Sequence, residues 1–509
     1  MQGLNNPNRE LLDAGAFCRQ LVDEGSVYAF LADHRTDVFP DDMFEDLFPS
    51  SRGRPSIPAG VGASAMILKE LEGLSDRQTA EALRCDIRWK VACGLALDDG
   101  GVHYTVFTYW RQRLAESDSP DRIGDAVRQV VDTTGVLSGK RRRALDSTLL
   151  DDAVATQDTV TQLVSQIRRV RRLIPQAKTV SVAAHDYDAS GKPVCAWDDP
   201  DAKAALVSGL VNDALATLDA VVDLELDDTA ADAVGLLALV AGQDVEPGDE
   251  QGTWRIFDGT AKDRVISTVD PDARHMHKSV SSYRDGYKAH IAVEPETGII
   301  TASTLTPANT ADGPVGVGLL DGEEPGVEVL ADSAYGSGPV RQDLNNAQHT
   351  VIIKPIPLAR NYRLGDDQFT RDDFTIDYQN RTVTCPNNVT VPVSASGAAT
   401  FGAKCRGCPI RQRCTSATGG RTFRVGGHDR LLAQARAQWR AQHNIDDYRQ
   451  YRPMVERSIA WIVANGHRRV RYRGVEPNRA QLALRVAAIN LRRLINLGLN
   501  HEGHAWAVT

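Results

Sequence analysis

The sequence predicts an α/β protein in which helices flank a mixed sheet, and three observations carry that reading. Alternating apolar residues mark a hairpin, Asp285 to Glu294 and Ile299 to Leu305, joined by a Pro-Glu-Thr-Gly turn. Downstream, a short strand through Val327 and Val329 ends at Asp332, a helix runs to about Gln348, and another strand covers His349 to Ile356. Upstream, Ala144 to Leu150 reads as a short apolar strand interrupted by Asp146. Helices and strands in this alternation call for a sheet covered by helices.

With 509 residues the chain is too long for one ordinary core, and roughly two to four domains are expected. No run of eighteen apolar residues and no basic-then-apolar start is present, so a cytoplasmic protein with no membrane partner is expected. The net charge of −9 argues against a polyanion partner until its distribution is examined. Residues 401–509 hold 20 Lys and Arg against 6 Asp and Glu, so the remainder of the chain carries −23. Such asymmetry suggests a polyanion-binding end, the alternative being a solvated basic face.

Taken in order, residues 1–50 read as short helices and loops, and Ser51 to Pro58 is a basic, Pro-containing lead into a helical block. Ala63 to Glu72 is helical and stops at Gly73; Ser75 and Gln78 form a capping-box pattern for the next helix. With the stretch His103 to Leu114 these helices resemble a helix-turn-helix bundle, suited to DNA or to plain packing. The basic run containing Arg141, Arg142 and Arg143 reads as a phosphate-neutralising patch or a solvated loop. From residue 158 to 252 the chain is an all-helical block followed by an acidic linker, with Leu163, Ile167 and Val170 on one face of its first helix. Strands resume at Trp254 to Asp258 and Arg264 to Thr268 before the hairpin. Residues 359–430 break into short Gly-rich pieces, and a helical tail follows in which Arg452-Pro453 starts a helix lined by Val455, Ile459 and Ile462.

The chemistry rests on carboxylates. An Asp inside an apolar strand is costly unless paired or bound to a cation, which singles out Asp146. Asp332 stands at the carboxyl end of a strand, where α/β sheets place their chemistry, and reads equally as a helix cap. Glu456 lies one position from the buried face of its helix. Two carboxylates about 4 Å apart repel by roughly 4 kcal/mol at an effective dielectric of about 20, so a cluster of such acids needs cations. Oxygen ligands suit Mg²⁺ or Mn²⁺, and two such ions stabilise the attacking and leaving oxygens of phosphodiester displacement.

The order of the segments resembles the insertion-sequence transposases of the DDE superfamily. The stretches that carry the resemblance are RALDSTLLDDAVATQDT around Asp146, DPDARHMHKSVSSYRDGYKAHIAVEPETGIITASTLTPANTAD, VLADSAYG around Asp332, RPMVERSIAWIVANGHRRVRYRG around Glu456 and the amino-terminal GRPSIP block. The resemblance implies a catalytic domain of ribonuclease-H-like fold, with Asp146, Asp332 and Glu456 as its triad on two Mg²⁺ or Mn²⁺ ions. It implies double-stranded DNA, both terminal inverted repeats and target, as partner, a homodimer, and association with the nucleoid. Relatives carry a Tyr–Arg–Glu–Lys signature; here Arg452 precedes Glu456, but Val463 stands at the lysine position, so Arg468, Arg469, Arg471 or Arg473 is expected to take the phosphate contact. Lys278, Lys288, His277 and His290 are further candidates for the DNA face or for solvent, and Tyr335 for stacking on a flipped base or for core packing.

The expected organisation is an amino-terminal helical, DNA-binding type of domain (1–135), a core in three pieces (136–157, 253–358 and 431–509), a helical insertion (158–252) and a Cys-rich insertion (359–430). In the last, Cys385, Cys405, Cys408 and Cys414 have one tight C-x2-C pair, which suits a structural Zn²⁺ site, with reduced thiols or an iron–sulfur site as alternatives. Two other functions share these features: a ribonuclease-H-like nuclease that cuts without strand transfer, and a domesticated DNA-binding protein without catalysis.

Overall fold

The computed structural model describes residues 1–3, 12–50, 52, 55–279, 282–358, 364–365, 367–502 and 505–508. The amino-terminal part is helical. Helix α1 (Val27–Val38) is capped by Ser26, whose hydroxyl accepts from the Ala29 N–H. Helix α2 (Ala59–Glu72) is buried along almost its whole length and ends at Gly73, where a φ of +72° favours glycine. Ser75 and Gln78 then cap the helix Asp76–Cys85 reciprocally, as their spacing predicts. Trp89, Phe107 and Trp110 fill the core of this part, together with Ala487, Ala488, Leu491 and Leu494 from the far end of the chain.

The central sheet has six strands: β1 (Arg142–Asp151), β2 (Arg274–Ser279), β3 (Ser282–Glu294), β4 (Ile299–Pro307), β5 (Glu328–Ala331) and β6 (Thr350–Ile353). Strand β3 pairs antiparallel with β1, β2 and β4, whereas β1–β5 and β5–β6 are parallel. The order is β2–β3–β1–β5–β6, with β4 also against β3. Helices cover both faces. On one, Leu145, Val329 and Ala331 meet Tyr335, Val340 and Leu344, and α3 (Asp312–Gly318) packs alongside. On the other, Ala144, Leu150 and Leu330 meet Val455 and Ile462 of α4 (Pro453–Val463) and Leu482 and Ile489 of α5 (Val475–Asn496). Each such aliphatic side chain contributes about 1.5–3 kcal/mol relative to exposure. This is a mixed sheet flanked by helices, consistent with a ribonuclease-H-like domain.

Between β1 and β2, the helices Thr159–Leu173, Pro200–Asp219 and Asp228–Gln243 surround their own core of Leu163, Ile167, Val170, Leu210 and Leu237. The stretch Arg264 to Thr268, expected as a strand, forms only an isolated bridge at Val265. Its backbone is satisfied by glutamines instead. Val265 N–H donates to Gln243 Oε1 at 3.0 Å, Val265 O accepts from Gln162 Nε2 at 2.9 Å, and Thr268 N–H donates to Gln157 Oε1 at 2.8 Å. Likewise Trp254–Ile256 pairs with Val245–Pro247 rather than with the central sheet. Residues 375–424 form two small antiparallel sheets around Phe374, Val383, Phe401 and Phe423. The chain closes with a hairpin that periodicity did not reveal, β7 (Leu499–Glu502) and β8 (Ala505–Val508). Among the described residues no helix is long and apolar enough to cross a membrane.

Candidate active site

Strand pairing brings the first two acids together. In the parallel β1–β5 pair Ala144 lies beside Leu330. The ladder ends with that pair; two residues further along each chain come Asp146 and, just past the end of β5, Asp332, on the face that turns toward α4. Adjacent strands run about 4.8 Å apart, close enough for the two charges to interact. Burial, with a smaller contribution from Asp332, holds the Asp146 carboxyl above its ordinary range, while Arg452 and the Ser147 N–H pull it back. Asp332 also caps the turn Ser333–Tyr335, its Oδ1 accepting from the Ala334 N–H at 2.8 Å. The capping role and the place at the strand end therefore coexist in one residue.

Arg452 stands just before α4 and is buried beneath this face. Its Nη2 donates to Asp146 Oδ2 at 2.9 Å, and its Nη1 lies 3.6 Å from Glu456 Oε1, one turn along the helix. Arg452 Nε and Nη1 are buried without a hydrogen-bond partner. Glu456 is 69% exposed. One guanidinium thus spans Asp146 and Glu456, and the three acids do not form a group whose ligand oxygens all lie within 4.8 Å. In chemistry the donor set fits a hard divalent ion, being carboxylate oxygen throughout; in spacing it is held wider than one coordination shell by the arginine between its members.

A polar network that sequence reasoning passed over lies on the opposite face of the same strands. Asp312, first residue of α3, accepts from Ser147 Oγ at 2.8 Å and pairs with Lys288 Nζ at 3.1 Å. Lys288 is only 2% exposed and also donates to Thr310 O at 2.7 Å. His290 is fully buried; its Nε2 meets Thr306 Oγ1 at 2.9 Å, while its unpartnered Nδ1 faces Asp312 Oδ1 at 3.7 Å. Desolvation pushes its imidazole down to about 4, so it is neutral at pH 7. Tyr335 is buried against α3, and burial, then Asp312, Asp146 and Asp332, raise its phenol. The one sequence signal for this network is Lys288 and His290 alternating with apolar Tyr287, Ala289 and Ile291 along β3.

Lys288, His290 and Tyr335, read as candidates for a DNA surface, therefore point inward and offer nothing to a duplex as folded. The arginines divide. Arg143 is buried on Glu323, and Arg142 pairs with Glu296 at 3.0 Å and Glu328 at 2.7 Å. Arg468 donates to Thr148 Oγ1 at 2.8 Å and Leu149 O at 2.9 Å, and Arg469 Nε to Asp152 O at 3.0 Å. Arg471 donates to Gly73 O and Leu74 O, just past the end of α2. Arg141 and Arg473 are exposed, as is His277, while the side chain of Lys278 falls outside those described. Much of the carboxyl-terminal charge surplus thus serves internal acids and carbonyls.

The cysteines Cys385, Cys405, Cys408 and Cys414 line one small cavity with Phe374 and Arg421. Burial first, with the three neighbouring thiols adding to it, raises the Cys414 thiol. Their sulfurs, too, form no group within 4.8 Å of one another.

Residues 252–491 match the family model of a transposase DDE domain, a range that holds Asp332 and Glu456, and residues 17–113 match a second transposase domain. Asp146 lies outside both ranges. No curated protein and no solved structure matches the chain. A transposase DDE domain over the sheet, preceded by a transposase-type helical domain, makes this chain a member of the DDE-type insertion-sequence transposases.

Proposed function

We propose that this transposase cuts DNA at the ends of its element and transfers the freed 3′-OH ends into target DNA, with Asp146, Asp332 and Glu456 holding two Mg²⁺ or Mn²⁺ ions. The observation that supports the reading is that Asp146 and Asp332 each follow the last β1–β5 pair by two residues and feel each other's charge, with Arg452 linking Asp146 toward Glu456. When bound, the ions would supply charge stabilisation at the attacking and leaving oxygens. The chain's own residues do the rest. Asp146 and Asp332 fix the site on rigid strands, where small displacements are costly to rate. Glu456, exposed on the first turn of α4, swings from solvent toward Asp146. Arg452, buried as folded, orients Asp146 and Glu456, and the exposed Arg141 and Arg473 neutralise phosphates along the duplex.

In this reading residues 1–135 are the DNA-binding helical domain, 158–252 and 359–430 are insertions into the catalytic core, and 431–509 complete it. A homodimer brings two element ends together, in the cytoplasm and on the nucleoid. The four thiols that share one cavity hold a structural Zn²⁺, closing around it from their wider spacing. The test is a reaction of the purified full chain with Mg²⁺, DNA carrying the inverted repeats that flank its coding sequence, and a target plasmid. End-to-target joints are expected. Nicked ends without joints would replace strand transfer by nuclease activity, and salt-dependent binding without any product would remove catalysis altogether.

A further inference from the structure

A second constellation lies away from the sheet, where the carboxyl-terminal hairpin meets helix α1. His34 and Asp37 are three residues apart on α1 and share one face. His501, on β7, comes to the same point. His34 Nδ1 lies 3.2 Å from Asp37 Oδ2, and His501 Nδ1 lies 3.7 Å from that same oxygen. Ligand atoms of all three residues fall within 4.8 Å of one another, which neither the acids of the active site nor the cysteines do.

We propose that His34, Asp37 and His501 form a metal site for a borderline divalent transition ion, of which Zn²⁺ is the type. The His34–Asp37 contact is also a hydrogen bond, so it is the convergence of three ligand atoms that points to an ion. Metal bonds of about 2.0–2.2 Å in a tetrahedral shell set ligand atoms about 3.3–3.6 Å apart, and the two contacts to Asp37 Oδ2, 3.2 and 3.7 Å, bracket that range. The 3.7 Å between His501 Nδ1 and Asp37 Oδ2 is by contrast too long for a hydrogen bond. Two imidazoles and one carboxylate select Zn²⁺, Co²⁺ or Ni²⁺ over Mg²⁺, so the site differs in chemistry from the all-carboxylate centre.

The surroundings suit such a site. Trp506 stacks on His501 with centroids 4.3 Å apart and meets His34 edge-on at 5.5 Å, so an indole wall orients both rings. Phe30 lies 5.2 Å from His34 and 5.6 Å from Trp506, completing the aromatic group. The side chains of His34 and Asp37 remain 27% and 42% exposed, which leaves an approach from solvent and room for water as a fourth ligand. The site would tie a two-stranded hairpin, marginal on its own, to the amino-terminal helical domain. Its consequence is a metal-dependent clasp between the two ends of the chain.

The experiment uses the full chain, stripped with a chelator and reloaded with Zn²⁺. Bound zinc should fall by one ion per chain in His34→Asn and in His501→Asn, and stay at the wild-type count in Asp332→Asn. In the unmutated chain Zn²⁺ should protect His34 and His501 from diethyl pyrocarbonate, read by mass spectrometry, so that a folding defect in a variant cannot decide the matter. Unchanged zinc stoichiometry in folded His501→Asn, or equal modification of both histidines with and without Zn²⁺, would overturn the proposal.

Discussion

Arg452 and Asp146, 306 positions apart in the chain, meet through a 2.9 Å hydrogen bond on the face of the sheet that α4 covers. Arg452 is the chief group opposing the upward pull of burial on the Asp146 carboxyl. Removing it leaves burial and the Asp332 charge unopposed. Arg452→Ala is therefore expected to lower DNA cleavage by about 10²–10³, the scale for loss of one transition-state donor. It should also move the acid limb of the pH–rate profile to higher pH, because the carboxylate form of Asp146 then needs a higher pH to appear. Arg452→Lys keeps the charge and should move that limb less. An acid limb unchanged in Arg452→Ala would separate Arg452 from Asp146 in function.

Lys288 is a buried cation whose charge partner is Asp312. Lys288→Met strands that carboxylate and is expected to cost about 3–5 kcal/mol in denaturant unfolding. Adding Asp312→Asn should recover part of that loss, since the uncompensated charge is then gone. Purely additive losses in the double variant would show that the two do not act as a pair.

Asp152 carries the clearest pH signature. Burial, with like charge from Asp285 and Asp270, pushes its carboxyl up to about 6 from 3.8. The folded chain then keeps a proton that the unfolded chain releases, so stability falls as pH rises from about 4 to about 6 and stays lower above that. Asp152→Asn removes this penalty. Its unfolding free energy should match the wild type at pH 4 and exceed it at pH 7 to 8 by about 1–2 kcal/mol after allowing for solvent screening, read by denaturant unfolding. An equal shift at both pH values would contradict the assignment.

The carboxyl-terminal arginines are expected to separate into two groups by experiment. Arg485 is buried and donates to Glu70 O, Leu71 O, Trp461 O and Ile462 O, so it closes the end of α2 onto the last helices. Arg485→Ala should cost about 2–4 kcal/mol of stability through the carbonyls it leaves unsatisfied. Arg473→Ala should leave the melting temperature unchanged while weakening DNA binding and lowering its salt slope by about 1. Melting curves and salt titrations on both variants check the division.

What could be read from the chain alone followed from local rules. The capping box at Ser75 and Gln78, the alternation along β3 and β4, and proline in the first turn of α4 each have a cause within a few residues. The strand end at Asp332 was legible for the same reason, because apolar alternation stops there. Partners distant in sequence were not. Nothing near Lys288 signals that Asp312 waits across the sheet, so its charge looked like a surface charge. The arginines of the 466–474 turn looked like a DNA patch because the carbonyls that claim Arg471 belong to Gly73 and Leu74. Arg264 to Thr268 has the composition of a strand, but three glutamines from elsewhere answer its backbone. The hairpin β7–β8 has only four residues in each strand, too few for periodicity to reveal.

The most direct measurement of whether Asp146, Asp332 and Glu456 act as one site is Mg²⁺-dependent cleavage of end-bearing DNA by Asp146→Asn, Asp332→Asn and Glu456→Gln. Each folded variant is expected to lose about 10³-fold or more in rate with DNA affinity retained, and any two together to lose little beyond one, as groups acting as a unit do. Near-wild-type cleavage by any one of the three, with a normal melting temperature, would remove that residue from the site and contradict the triad.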